Sequence, residues 1–163
     1  MNYHNILHDD MLNGDGLRVT LFVSGCSLHC PECHNPQTHD QFSGIPFDAE
    51  AVQEICTELS KPHISGLTLT GGHPLEPYNI DICTNLCMHL KNKYPTKTIW
   101  LYTGYLYENI KDYEIMNYVD VLVDGVYIKK FRDTSLKWRG SSNQRVIDVK
   151  ESKEINSVVL HCD

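Results

Sequence analysis

The sequence predicts an α/β fold built on a mainly parallel sheet. Three observations predict it. Short β-branched apolar runs recur along the chain, amphipathic helical stripes separate them, and a glycine or a polar turn closes nearly every run. Strands alternating with helices at this spacing favour right-handed βαβ units.

The elements follow in order. Residues 18–24 (RVTLFVS) form a short apolar run that suits a strand buried on both faces, and Gly25 ends it. Asp48 is placed to cap a helix reaching about Ser60, whose Val52, Ile55, Cys56 and Leu59 recur at i, i+3, i+4 and i+7. Residues 66–70 (GLTLT) read as a second strand stopped by Gly71 and Gly72. A helix over 79–93 carries the stripe Cys83, Leu86, Cys87 and Leu90. Residues 98–102 (TIWLY) form a third strand, closed by Gly104, and 105–118 a further helix. Residues 119–123 (VDVLV) form a fourth strand, and 145–149 and 157–161 the last two.

In parallel sheets ligands gather beyond the carboxyl ends of the strands. Four unusual segments fall there: a cysteine loop after the first strand, Gly71-Gly72-His73-Pro74 after the second, Tyr102-Thr103-Gly104 after the third and Asp124-Gly125 after the fourth. They predict one shared site.

Size and charge narrow the function classes. A chain of 163 residues and 18.7 kDa supports a single domain over residues 1–163. Area scaling gives it about 8,300 Å² of folded surface. A net charge of −7 argues against a nucleic-acid backbone as partner. No apolar run approaches the ~20 residues of a membrane span. Residues 1–10 are polar and lack the basic start and apolar stretch of a signal peptide, so a cytoplasmic protein with no membrane partner is expected. Seven cysteines, an odd number, fit a reducing compartment better than a disulfide framework.

Three of those cysteines, Cys26, Cys30 and Cys33, lie within eight residues. Pro31 disfavours a helical conformation at Cys30, so the segment is an irregular loop able to wrap around a metal centre. The spacing leaves three readings open: an iron–sulfur cluster, a structural zinc site completed by His29 or His34, or inert thiols. Three thiolates on a four-iron cubane leave one iron open to a substrate, as the open position of a catalytic zinc does. Cys83 and Cys87 share one helix face but belong to its apolar stripe, and read as buried thiols. Residues 139–145 (RGSSNQR) read as a solvated loop or as a contact to a ligand or partner.

The C-x3-C-x2-C loop after a first strand, with Gly-Gly-x-Pro after the second, resembles the radical S-adenosylmethionine (SAM) superfamily. Residues 13–19 (NGDGLRV), 70–75 (TGGHPL), 100–105 (WLYTGY), 121–125 (VLVDG) and 139–145 narrow the resemblance to the activators of anaerobic ribonucleoside-triphosphate reductase. It covers residues 4–149. Asp15 stands where proline is usual, His73 where an acid is usual, and Glu32 where many superfamily members have an aromatic.

The resemblance implies an incomplete, open radical SAM β/α barrel, since 163 residues fall short of the ~250 of a closed eight-fold barrel. It implies a 4Fe-4S cluster on Cys26, Cys30 and Cys33, and SAM bound among Glu32, His34, Gly71, Gly72, Thr103 and Asp124. It implies reductive cleavage of SAM to a 5′-deoxyadenosyl radical, which installs a glycyl radical on the large reductase subunit. No protein acid or base is required. A flavodoxin or ferredoxin is the implied electron donor, and homodimerisation stays open. A small radical SAM enzyme acting on a free metabolite and a non-catalytic zinc-binding module are the competing functions.

Overall fold

A computed structural model describes residues 1–162. It is mixed α/β, with one eight-stranded sheet in the order β3-β1-β2-β4-β5-β6-β7-β8. The strands are β1 (Asn2–Asp10), β2 (Leu17–Val23), β3 (Ile45–Pro46), β4 (Ile64–Gly71), β5 (Thr98–Tyr102), β6 (Val121–Asp124), β7 (Arg145–Asp148) and β8 (Leu160–Cys162). The helices are α1 (Ala49–Leu59), α2 (Ile80–Lys93), α3 (Tyr107–Ile110) and α4 (Val149–Ile155). The accessible surface of 8256 Å² agrees with the size scaling.

Only the centre of the sheet is parallel, through the pairs β2–β4, β4–β5 and β5–β6. Antiparallel pairs flank it on both sides: β1 with β2 and β3, and β7 with β6 and β8. The expectation of a mainly parallel sheet therefore holds for four adjacent strands and fails at the edges. Polar β1 buries only Tyr3, Ile6 and Asp10: the two-residue β3 covers only its start, and one of its faces is wet.

Strand side chains alternate between two unlike faces. Val19, Leu21, Val23, Leu67, Leu69, Ile99, Leu101, Leu122 and Ile147 pack under α1 and α2, against Ile55, Cys56, Leu59, Cys83, Leu86, Cys87 and Leu90. Asp48 caps α1 through the Glu50 and Ala51 N–H groups, as its position predicts. Cys83 and Cys87 are fully buried, and desolvation pushes the Cys83 thiol up to about 12. They are core groups. The opposite face is polar along β2 and β4, with Arg18, Thr20 and Thr68, and apolar only around Trp100, Val121, Val123 and Val146. β2 is buried on both faces, as expected, with one face packing polar groups. Arg18, wholly buried, donates to Thr68 Oγ1, Asp15 O, Leu67 O, Thr98 Oγ1 and Thr98 O, and lies 5.4 Å from the Trp100 ring. Five neutral oxygens replace its hydration, which is what a buried guanidinium needs.

The helix expected over 105–118 breaks into α3 and a separate 3-10 turn, Glu114–Asn117. Its buried side chains are Tyr107, Ile110, Ile115 and Met116, a spacing no single helix can turn to one core. α4 follows β7 directly, where a strand end was expected, because Asp148 caps it through the Glu151 N–H.

Candidate active site

The four parallel strands deliver four loops to one rim. Residues from all four line an open cleft of about 380 Å³: Cys26, Cys30, Cys33 and His34 after β2, Gly71 to His73 after β4, Thr103 and Gly104 after β5, and Gly125 to Tyr127 after β6. Arg139, Gly140 and Gln144 complete the wall. Residues 139–145 are therefore no solvated loop. Gln144 accepts the Gly140 and Ser141 N–H groups and donates to Gly125 O, while Asn143 donates to Val126 O.

The cysteine loop is shaped by its own backbone. Gly25 N donates to Thr38 O at 2.7 Å and Cys26 N to His39 O at 3.0 Å, which pins the loop's start. Left-handed backbone at His29 (φ 44°) and Glu32 (φ 54°) turns the chain twice, and Cys33 N closes a turn on Cys30 O. All three thiols are half-buried and face the cleft, and none is in a disulfide. Burial raises the Cys26 pKa, opposed by the N–H groups of Leu28 and His29 that point at its sulfur. The Asn35 N–H points at Cys33 Sγ, 3.4 Å away. Three thiols on one loop lining one cleft, with backbone N–H groups aimed at sulfur, fit the donor chemistry of an iron–sulfur cluster, whose sulfurs take such hydrogen bonds.

The zinc alternative finds no support. His29 Nδ1 lies 3.1 Å from His39 Nδ1, and His34 stacks edge-on against Tyr127 at 5.6 Å. Among the described residues no three His, Cys, Asp or Glu side chains converge on a single-ion site.

Gly71 and Gly72 have a steric reason beyond ligand access. Gly71 has φ 100°, and a Cβ there would lie 2.7 Å from Phe22 Cα. A Cβ on Gly72 would lie 2.5 Å from Gly25 O. The loop must lie flat on the end of β2, and only glycine permits it.

His73 is buried and ordered by its neighbours. Its Nδ1 lies 3.3 Å from Glu76 Oε1 and its Nε2 2.7 Å from Thr103 Oγ1. Glu76 Oε1 also accepts the Ser27 N–H at 2.8 Å and the Ser27 hydroxyl at 2.7 Å. Burial lowers the His73 pKa, so the ring is neutral; the Ser27 donors hold the Glu76 carboxyl below its usual range despite burial. An ionised Glu76 can only accept, so Nδ1 carries the proton and the Thr103 hydroxyl donates to Nε2. Thr103 Oγ1 in turn accepts the Tyr105 N–H at 3.1 Å. Thr103 lines the cleft, but its hydroxyl proton is already committed.

Two expected cofactor contacts lie elsewhere. Asp124 is fully buried and absent from the cleft wall: its carboxylate takes Arg145 Nε at 3.0 Å, Arg145 Nη2 at 2.5 Å and the Tyr107 N–H at 2.8 Å. Arg145 stands directly across the β6–β7 ladder, so this aspartate closes the sheet. Glu32 points outward to Lys129, and both side chains are more than half exposed. Sequence reasoning missed His39 and Glu76, which nothing in their spacing marks, and the role of Ser27, whose partner Glu76 comes from the next loop; Arg139 belongs to the 139–145 segment that the sequence offers as a ligand or partner contact.

A cysteine-loop site on the rim of a parallel-centred sheet defines a 4Fe-4S single-cluster class of protein. Residues 12–147 match the family described as a 4Fe-4S single cluster domain. The chain is 47% identical over 146 residues (90% of this chain, 93% of the relative) to the anaerobic ribonucleoside-triphosphate reductase-activating protein of Enterobacteria phage T4. It is 41% identical to the proteins of that name from Escherichia coli K12 (90% of this chain, 97% of the relative) and Vibrio cholerae (88% and 96%). The chain belongs to the family of anaerobic ribonucleoside-triphosphate reductase-activating proteins.

Proposed function

We propose that the chain activates an anaerobic ribonucleoside-triphosphate reductase by installing a glycyl radical on its large subunit, using a 4Fe-4S cluster on Cys26, Cys30 and Cys33 together with SAM. The observation that carries this is the meeting of three thiols and four strand-end loops in one cleft, in a chain of this family. When bound, the cluster supplies one electron to break a carbon–sulfur bond of SAM, giving methionine and a 5′-deoxyadenosyl radical that takes hydrogen from a glycine Cα.

The chain's own residues bind and orient. The thiols of Cys26, Cys30 and Cys33 would hold the cluster. Gly71 and Gly72 let the backbone approach SAM, and His34 with Tyr127 shapes the same wall. Glu76 fixes Ser27, and with it the first ligand cysteine; His73 holds Thr103. The four parallel strands serve as the wall of an open β/α barrel within one domain spanning residues 1–163. Electrons come from a flavodoxin or ferredoxin, since the scattered Cys56, Cys83 and Cys87 are buried in the core. Seven cysteines with no disulfide suit a reducing cytoplasm, and no described helix is long and apolar enough to cross a membrane.

The test is anaerobic reconstitution with iron and sulfide, then incubation of the reduced protein with SAM and the reductase. We expect about four irons per chain, as the cluster type requires, and an organic radical on the reductase by electron paramagnetic resonance. Cys30→Ala gives neither. Stoichiometric zinc with no cluster overturns the proposal; methionine release with no reductase radical shows a different substrate.

A further inference from the structure

We propose that His39 donates a hydrogen bond from Nε2–H to a sulfur of the bound cluster and so raises the cluster's reduction potential. The inference rests on the cluster reading above.

His39 lies six residues beyond the last ligand cysteine, outside the C-x3-C-x2-C motif. The fold returns it to the motif's start: its carbonyl accepts the Cys26 N–H at 3.0 Å. Its ring meets the His29 ring edge-to-face, centroids 4.7 Å apart, with the two Nδ1 atoms at 3.1 Å. Two ring nitrogens at that distance share one proton, so one donates and the other accepts. The other nitrogen of His39, Nε2, is buried and has no partner, and His39 lines the same cleft as Cys26, Cys30 and Cys33. Buried polar atoms are almost always satisfied, so this one points to a ligand group.

The chemistry of the group decides the proton. Sulfides and thiolates of a cluster offer acceptors only. An Nε2–H facing them is satisfied, and an Nε2 lone pair is not. The bound cluster therefore selects the tautomer with hydrogen on Nε2, and His39 Nδ1 then accepts from His29 Nδ1–H. A hydrogen bond to sulfur favours the more negative, reduced cluster, so the potential rises. His39 is a positioning residue for one electron, and it makes the cluster easier for the donor to reduce.

The experiment is a potentiometric titration of the reconstituted full chain, comparing the parent with His39→Phe and His39→Gln. Phenylalanine keeps the ring edge against His29 and removes the donor; glutamine restores an N–H. With iron content equal in all three, we expect the reduced-to-oxidised ratio of His39→Phe at fixed potential to fall roughly tenfold, a shift of about 59 mV for one electron. His39→Gln recovers most of it. Equal potentials for parent and His39→Phe overturn the proposal, and so does a His39→Gln protein that behaves as the phenylalanine variant does. If His39→Phe fails to load iron, His39→Gln decides: loading with a potential near the parent's supports the hydrogen bond, and failure to load overturns it. A parent that takes up no iron refutes the cluster reading itself.

Discussion

Replacing Asp124 separates structure from cofactor binding. In Asp124→Asn the side chain keeps an acceptor for the Tyr107 N–H, 2.8 Å away, but loses the charge facing Arg145. The new amide also turns N–H groups toward a guanidinium that is itself all donor. Breaking a buried ion pair costs about 3–5 kcal/mol. Here the Arg145 side chain is 29% exposed and keeps its fork on Glu108, at 3.0 and 2.8 Å. The lower end therefore applies, about 3 kcal/mol. For a domain of this size that lowers Tm by about 6–12 °C. Thermal unfolding followed by circular dichroism, on the same preparations used to titrate SAM, reads both quantities. We expect a large fall in Tm with iron content and SAM affinity per folded molecule unchanged. A variant with unaltered Tm and lost SAM affinity refutes the reasoning and returns Asp124 to the cofactor.

Three further outcomes follow from the same geometry. Gly72→Ala forces a Cβ to within 2.5 Å of Gly25 O, so the variant loses SAM affinity and shows a lowered Tm even though alanine is chemically inert; an unperturbed Gly72→Ala shows that the loop can lift off β2. Thr103→Val leaves buried His73 Nε2 without its donor and costs about 1–3 kcal/mol in urea unfolding, while SAM affinity in folded protein changes little because the hydroxyl proton was never free. Glu108 is held near 2, chiefly by its hydrogen bonds to Arg145, against an ordinary 4.5. A depressed carboxylate contributes stability that is complete above pH 4.5 and lost as pH falls toward about 2, so Glu108→Gln flattens that limb of an acid-unfolding curve; the effect is modest because the pair is partly wet.

The parts of this protein that are local in origin were legible in the sequence. The strand runs ending on Gly25, Gly71 and Gly104, the α1 stripe behind its Asp48 cap, and the cysteine loop each carry their cause within a dozen residues. β1 was not legible, because a strand bearing Asn2, His4, Asn5 and His8 lacks an apolar run. The helix over 105–118 failed because its buried residues, Tyr107, Ile110, Ile115 and Met116, do not share one helical face. Asp124 was misread for a longer-range reason: its partner Arg145 is 21 residues away and meets it only through antiparallel pairing. Glu76 and His39 reach the site by the same route, through contacts between loops.

Ser27, His73, Glu76 and Thr103 come from three separate loops, yet they divide a fixed number of donors and acceptors among themselves. A change at one position alters what the others must supply, so these sites are expected to vary together in descendants of this chain. An aspartate at position 73 would crowd a second negative charge against Glu76, and becomes tolerable only after position 76 has given its charge up. Grafting any one of these loops alone from a related protein is therefore a worse experiment than exchanging the whole set.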